Sequence, residues 1–261
     1  MKKYRILLII LVVYFVVFFC VVGIGNLKRN GHQVTLLIGD NTVWNYNKQK
    51  WENITSDTII DKLGWQKYNV YVNNKYVDDY YMWYDDSKWY AFTQDKNKNK
   101  KAVILEGDIL AYRSNYDLKV KSFETETNKN KTYVNQVLTE NSISTGATFT
   151  TNNVVKIDID NDGVIEEFYT ISNAFATDNY PTKVFSIVFM VKNGQIYPMY
   201  KNITTSEKGS NCKPFIRTIF DIDDDDTHEV LVTCAKYSVQ KPEDMLYQLT
   251  DEGFKLVISN Q

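Results

Sequence analysis

The segment Asp158-Ile-Asp-Asn-Asp-Gly-Val-Ile-Glu166 recurs 63 residues later as Asp221-Ile-Asp-Asp-Asp-Asp-Thr-His-Glu229. An apolar run follows each copy, EFYTI after the first and VLVTC after the second. Further along, IVFMVKNGQIYPMY at 187–200 matches MLYQLTDEGFKLVI at 245–258 in most apolar positions. Apolar runs on either side of a polar turn are typical of β-hairpins. The repeat therefore predicts two four-stranded units, each made of two successive hairpins and about the size of a propeller blade.

Each acidic loop carries carboxylates at its first, third, fifth and ninth positions. Carboxylate oxygens at this spacing, with a main-chain carbonyl near the seventh position, are ligands that calcium prefers. The predicted ligands are Asp158, Asp160, Asp162, Val164 and Glu166 in the first loop, and Asp221, Asp223, Asp225, Thr227 and Glu229 in the second. Gly163 favours the turn of the first loop, but Asp226 replaces it in the second, so we expect the second site to be weaker. Two solvated turns without a metal are the alternative.

The pattern D-x-D-x-D-G-x-x-E before a strand resembles the calcium loops of FG-GAP and VCBS repeats, as in the propellers of integrin α-subunits. The resemblance covers about residues 150–261 and implies a calcium cofactor, with Asp158, Asp160, Asp162 and Glu166 as ligands. The Phe-Gly and Gly-Ala-Pro signatures of that family are absent from the sequence. A closed propeller usually has at least about four blades, so the first half would have to contribute strands. We expect a mainly β chain with propeller-like four-stranded meander repeats; two β domains, open or sandwich-like, are the alternative.

Residues 6–24, ILLIILVVYFVVFFCVVGI, contain no charged side chain. As a helix they would extend about 28 Å, close to the thickness of the hydrocarbon core of a bilayer. The segment is longer than the apolar part of a signal peptide and lacks small residues at its end, so we predict a transmembrane helix. More basic residues precede it than follow it, which favours a cytoplasmic N-terminus. We expect a single-pass protein of the cell membrane with its C-terminal part outside the cytoplasm.

Composition divides the chain into five parts. We expect residues 1–5 to be a cytoplasmic leader, 6–24 the transmembrane helix, 25–125 an aromatic-rich β module, 126–150 a linker and 151–261 the two repeats. The linker is predicted from its high content of Thr, Asn and Ser. Within the β module, TIIDKLG at 58–64 predicts one short helix that ends at a glycine.

One predicted hairpin of the β module, at 80–92, holds seven aromatic residues. Alternation along a strand directs half of them to the core and leaves the other half for a partner or a sugar ring. The candidate ligand-binding residues are Tyr81, Trp83, Trp89 and Tyr90. Core packing of the whole group is the alternative.

Cys212 and Cys234 are the two cysteines beyond the predicted span. Cysteines outside the cytoplasm are able to form a disulfide. Pairing 213–221 with 229–236 as a hairpin, however, would place Cys234 opposite about Arg217, too far from Cys212 for a bridge. The spacing therefore argues against the disulfide, and only a different register would allow it.

Charge and motif content disfavour several classes of function. A net charge of -2 and a pI near 5.8 give no electrostatic reason to bind nucleic acid. The part beyond the predicted span holds only His32 and His228, and no H-E-x-x-H, G-x-S-x-G or P-loop motif is present. We therefore predict no enzymatic activity, and we expect His228 to lie at the surface.

The predicted function is a membrane-anchored, extracytoplasmic binding or adhesion module that is stabilised by calcium and binds a protein or a glycan. A non-catalytic structural or sensing ectodomain of a membrane complex is the first alternative. A glycan-active enzyme of the cell surface, using a carboxylate pair such as Asp78 and Asp79, is a remoter one. The bias toward Lys, Asn, Ile and Tyr is typical of an AT-rich bacterial genome.

Overall fold

The computed structural model describes residues 33–39, 42–47, 50–54, 63, 65–85, 88–94, 98–175, 183–205, 212–236 and 241–260. Within these ranges the chain is mainly β, as expected, with antiparallel strands in three sheets that do not close on themselves. No helix in the described part is long and apolar enough to cross a bilayer. The predicted transmembrane helix at 6–24, His32 and most of the predicted helix at 58–64 lie outside the described residues.

The first sheet is formed by the aromatic-rich half of the chain. Its strands are β1 (Gln33–Ile38), β2 (Thr42–Asn47), β3 (Lys50–Asn53), β4 (Gln66–Val72), β5 (Lys75–Asp85), β6 (Lys88–Gln94), β7 (Lys100–Val103) and β8 (Ile109–Ser114). They follow the order β3-β2-β1-β8-β4-β5-β6-β7 across the sheet. Tyr, Trp and Val are frequent in these strands, because their bulky side chains fit a pleated surface.

The two predicted repeats form most of the second and third sheets. The second sheet contains β9 (Thr125–Thr127), β10 (Thr151–Ile157), β11 (Glu166–Ser172), β12 (Val184–Lys192) and β13 (Gln195–Thr204). The third contains β14 (Lys213–Phe220), β15 (Glu229–Ala235), β16 (Glu243–Thr250) and β17 (Gly253–Ser259). In both, each strand of the repeat pairs with the next along the chain, which is a four-stranded meander. The acidic loops join the first strand of each meander to the second.

The third sheet lies between the other two. Val230 and Val232 of β15 point into a core shared with Phe168 of the second sheet. Leu231, between them, points into a core shared with Trp44 of the first sheet. Alternate side chains of β15 therefore enter two different cores. Because both faces of the strand are buried, its sequence VLVTC is a continuous apolar run without polar alternation.

The stretch 126–150, predicted as a linker, is not a free connection in the structure. It contains the end of β9 and the helix α1 (Thr132–Glu140). The helix buries Val134, Val137 and Leu138 against side chains of the second sheet, including Phe185. Its apolar residues recur at helical spacing, and this periodicity was outweighed by the polar composition around them.

Cys212 and Cys234 form a disulfide, with their Cα atoms 5.3 Å apart, so the expectation against a bridge is wrong. At the base of the second acidic loop, Phe220 of β14 pairs directly with Glu229 of β15. A register shift follows at Arg217. Together these features place Cys234 opposite Pro214, the second residue after Cys212. Both cysteines are completely buried.

Candidate functional site

The first acidic loop, 158–166, is shaped by its own carboxylates. Three of them accept a hydrogen bond from a main-chain N–H of the loop: Gly163 donates to Asp158 Oδ2 (3.0 Å), Val164 to Asp162 Oδ1 (2.8 Å) and Ile159 to Glu166 Oε2 (2.9 Å). Because each bond ties a side chain to a backbone donor a few residues away, the local sequence itself sets the path of the loop.

The second acidic loop, 221–229, repeats these bonds at the same three positions. Asp226 donates to Asp221 Oδ2 (3.1 Å), Thr227 to Asp225 Oδ1 (2.8 Å) and Ile222 to Glu229 Oε2 (2.8 Å). Left-handed backbone also recurs. At the fourth position of the loop, φ is 58° in the first loop (Asn161) and 57° in the second (Asp224). At the sixth position, φ is 84° at Gly163 and 67° at Asp226. Asp226 therefore adopts the conformation that glycine adopts in the first loop.

Each loop gathers three carboxylates around a common centre. Oxygens of Asp158, Asp160 and Glu166 lie within 4.8 Å of one another, and so do oxygens of Asp221, Asp223 and Asp225. Of the other predicted ligands, Asp162 and Glu229 fall outside these two groups, and Val164 and Thr227 are held through their N–H groups. Asp158 Oδ1 and Asp160 Oδ1 are buried atoms without a hydrogen-bond partner in the described part of the chain.

A lysine ammonium offsets part of the negative charge of the first loop. Lys192, at the end of β12, places Nζ 2.6 Å from oxygens of both Asp160 and Asp162 and 3.0 Å from Glu166 Oε1. Burial opposes the charge of Lys192, but hydrogen bonds to Asp160 and Asp162 outweigh it and raise the pKa of the amine. The hydrogen bond from Lys192 in turn lowers the pKa of Asp162. Lys192 thus pairs with two of the three clustered carboxylates, Asp160 and Glu166, and with Asp162 beside them.

A lysine also lies against the second loop, but Lys119 contacts its first, fourth and sixth positions, whereas Lys192 contacts the third, fifth and ninth positions of the first loop. Lys119 comes from the segment between β8 and β9, not from the sheet that carries the loop. Its Nζ lies 3.3 Å from Asp221 Oδ2, 2.9 Å from Asp224 Oδ1 and 2.8 Å from Asp226 Oδ1. Hydrogen bonds to Asp226 and Asp224 raise the pKa of Lys119.

Glu229 is one of three buried acids in the second loop, with Asp221 and Asp223. Burial raises the pKa of the Glu229 carboxyl well above the usual value, and the charge of Asp223 adds to the shift. The two carboxylates line a cavity of about 260 Å³ whose opposite wall contains Tyr46 and Trp51 of the first sheet. An oxygen ligand for a cation would therefore be available on the cavity side of this loop.

The two loops contact each other. His228 places Nδ1 2.8 Å from the carbonyl oxygen of Ile159, and Asn161 Nδ2 donates to the carbonyl of Asp226 at 3.3 Å. His228 is 2% exposed, so the expectation that it lies at the surface is wrong. Burial lowers the pKa of its imidazole, and a neutral ring with a proton on Nδ1 fits a bond to a carbonyl. The contact joins the second sheet to the third.

Cross-strand pairing divides the predicted aromatic residues between two faces of the first sheet. Tyr81 pairs with Phe92 and Trp83 with Tyr90, and these four lie together on one face with Trp65. We call this group the aromatic face. Trp89 pairs with Tyr84 and packs on the opposite face, against the core that contains Met82.

Three of the five members of the aromatic face, Tyr81, Trp83 and Tyr90, were among the predicted ligand-binding residues, and Phe92 and Trp65 were not. Trp65 lies outside the hairpin, yet its ring centroid is 5.0 Å from that of Phe92 and 5.7 Å from that of Trp83. Lys100 was also missed, although its Nζ lies 3.4 Å from the centroid of Trp65. Both contacts depend on strand pairing, so only the register of β4 to β7 reveals them.

Comparison of the chain with protein-family models, curated proteins and solved structures found no match. The resemblance to FG-GAP and VCBS repeats stays a prediction, and it rests on the residues of the acidic loops alone.

Proposed function

We propose that this chain is a membrane-anchored, extracytoplasmic binding module whose acidic loops bind calcium. One observation carries the proposal: two loops of different sequence form the same hydrogen bonds and each brings three carboxylates to one centre. A hard cation prefers such a set of oxygen ligands. Repulsion between the carboxylates would be relieved by an ion at each centre.

The residues fit calcium better than a transition metal. Within the described chain the clustered donors of both loops are carboxylates, and the nearest imidazole, His228, is engaged with a main-chain carbonyl. Asp158, Asp160 and Glu166 would hold the ion in the first loop, and Asp221, Asp223 and Asp225 in the second. Lys192 contacts two carboxylates of the first set and Lys119 only Asp221 of the second, so an ion would compete with a lysine more strongly in the first loop.

The stacking of the sheets supports a propeller-like arrangement. Two meanders packed face to face, with their first hairpin loops in contact, have the relation of neighbouring blades. The first sheet packs on the free face of the third and would take the place of the next blade. We propose an open stack of three sheets, in which calcium at the loops fixes the ends of the two repeats.

Two features support a position outside the cytoplasm. The uncharged segment at 6–24 is long enough to anchor the chain in a bilayer. The buried disulfide between Cys212 and Cys234 is typical of proteins in an oxidising compartment. The aromatic face is the surface through which we expect the module to contact its partner.

Thermal unfolding of the full-length chain in nanodiscs tests calcium binding. We expect calcium to raise the transition temperature relative to chelator, by an amount that corresponds to about 1.4 kcal/mol at a tenfold excess over the dissociation constant. Asp160→Ala should remove most of the shift, Asp223→Ala less of it, and Asp251→Ala, in the exposed β16–β17 turn, none. Equal transition temperatures in calcium and in chelator would overturn the proposal.

A further inference from the structure

The chain enters the first sheet close to the predicted membrane anchor. The apolar segment ends at Ile24 and β1 begins at Gln33, so eight residues lie between them. Eight residues reach at most about 27 Å when fully extended. Whichever end of the sheet contains Gln33 must therefore lie within about that distance of the end of the span.

Strand register places the aromatic face at that same end. The pairs that lead from β1 to β6 are Val34 with Ser114, Asn69 with Tyr112, Gln66 with Met82, and Trp83 with Tyr90. When these pairs are followed from strand to strand, Met82 of β5 lies at the same height in the sheet as Gln33 of β1. Trp83 and its partner Tyr90 lie one residue closer to the end of the sheet. With strands about 4.8 Å apart, Trp83 lies three strands, or about 14 Å, to the side of β1.

The composition of the aromatic face suits the interface between lipid and water. Four of its rings are half-buried against one another, and Tyr90 is 43% exposed. Lys67 and Lys100 lie at its edges, the first paired with Asp79 at 3.0 Å and the second above the ring of Trp65. Trp and Tyr with neighbouring lysines are the residues that proteins place at the level of the lipid headgroups.

We propose that the aromatic face contacts the outer surface of the membrane in which the chain's own anchor is inserted. This inference rests on the proposed function, because it requires the anchor at 6–24. The partner of the face is then a lipid surface, and a glycan is the competing occupant. The short connection to the anchor favours lipid, since it confines this end of the sheet to the neighbourhood of the bilayer.

Spin labels on the full-length chain test the contact. The chain is reconstituted in vesicles of phosphatidylcholine with a minor fraction of phosphatidylglycerol, in calcium. Labels are placed at Tyr90→Cys and, as the control, at Tyr76→Cys, both in a Cys20→Ser background. Tyr76 is 54% exposed and lies near the opposite end of the sheet. We expect collisions with a water-soluble nickel complex to be several-fold fewer at position 90 than at position 76.

The outcomes distinguish this inference from the proposed function. Equal nickel access at both positions, in a chain that stays with the vesicles after an alkaline wash, would overturn the lipid contact and leave the anchor intact. Release of the chain by the wash would refute the anchor and with it the contact. Protection at position 90 only after addition of oligosaccharides would assign the face to glycans. If Tyr90→Cys does not fold, it is replaced by a label at Lys100→Cys, an exposed position at the edge of the aromatic face.

Discussion

The two acidic loops have the same shape but differ in how their charge is balanced. In the first, Lys192 comes from the same sheet and pairs with Glu166, which is completely buried. In the second, Lys119 comes from another part of the chain and pairs with Asp221, Asp224 and Asp226. Because the backbone path is alike in both, the carboxylate-to-main-chain bonds set the shape, and the source of the cation sets how each loop responds to metal and to pH.

The largest expected difference is in the stability of the hairpins that the two loops connect. The β14–β15 hairpin is closed at one end by the second loop and at the other by the disulfide Cys212–Cys234, whereas β10–β11 has the loop alone. A bridge across a sequence separation of 22 residues contributes about 3 kcal/mol in the chain-entropy model. Cys234→Ser should lower the free energy of unfolding in urea by about this amount. Cys20→Ser should not change it, and an unchanged urea midpoint in Cys234→Ser would contradict the prediction.

The next largest effect concerns Lys192, the lysine of the first loop. Lys192→Met leaves the buried Glu166 without its ammonium, so we expect it to destabilise the chelator-treated protein by about 2 kcal/mol. The same substitution removes the competitor of calcium and should strengthen calcium binding at the first loop. Both changes are measured by urea unfolding and by calcium titration.

The matched control is Lys156→Met, on the same sheet, whose exposed ammonium lies 3.3 Å from Glu167. An exposed pair contributes little, so this variant should stay within about 0.5 kcal/mol of the unmodified chain. Weaker calcium binding in Lys192→Met would show that the lysine supports the ion site instead of competing with it.

These contrasts also mark the limit of what the sequence predicts. The repeat, the hairpins and the carboxylate spacing were predictable, because alternation and bonds between neighbouring residues are local properties. The register of β14 with β15 was not, since it depends on how tightly the loop closes and on the irregularity at Arg217. Lys119 and Lys192 reach the loops through tertiary packing, as His228 of the second loop reaches Ile159 of the first, and no local pattern indicates these contacts. Trp89 was predicted together with Tyr81, Trp83 and Tyr90, but its pairing with Tyr84 places it on the opposite face of the sheet from these three.

Removing a carboxylate charge should have opposite effects in the two loops. Glu229 is buried and its pKa is raised, so its ionised form destabilises the folded state at pH 7 in the absence of metal. Glu229→Gln should therefore stabilise the chelator-treated protein. The gain should shrink as the pH falls toward the usual value for glutamate, because the unmodified side chain then binds a proton in the folded state.

Glu166→Gln should instead destabilise the protein, because Glu166 forms an ion pair with Lys192 at 3.0 Å. Urea unfolding of both variants in chelator, at pH 7 and pH 5, measures the contrast. Asp162, whose pKa is lowered, stabilises the fold above its usual pKa and loses this effect only as the pH falls through the lowered value. The contribution of Asp162 to the free energy of unfolding therefore does not change between pH 7 and pH 5. The same sign for both variants would show that the loops are electrostatically equivalent.

The smallest effect concerns the sixth position of the loops, where glycine in the first is replaced by aspartate in the second. Gly163 and Asp226 both have left-handed backbone, which a side chain disfavours. A Cβ at Gly163 would meet no atom within 4 Å, so Gly163→Ala should cost about 1 kcal/mol through backbone strain alone. Asp226→Gly should relieve that strain in the second loop and stabilise it by about 0.5 kcal/mol, since the exposed pair with Lys119 that it removes contributes little. If Asp226→Gly destabilises the metal-free protein, the bond to Lys119 outweighs the strain, and the aspartate at this position serves to hold the lysine.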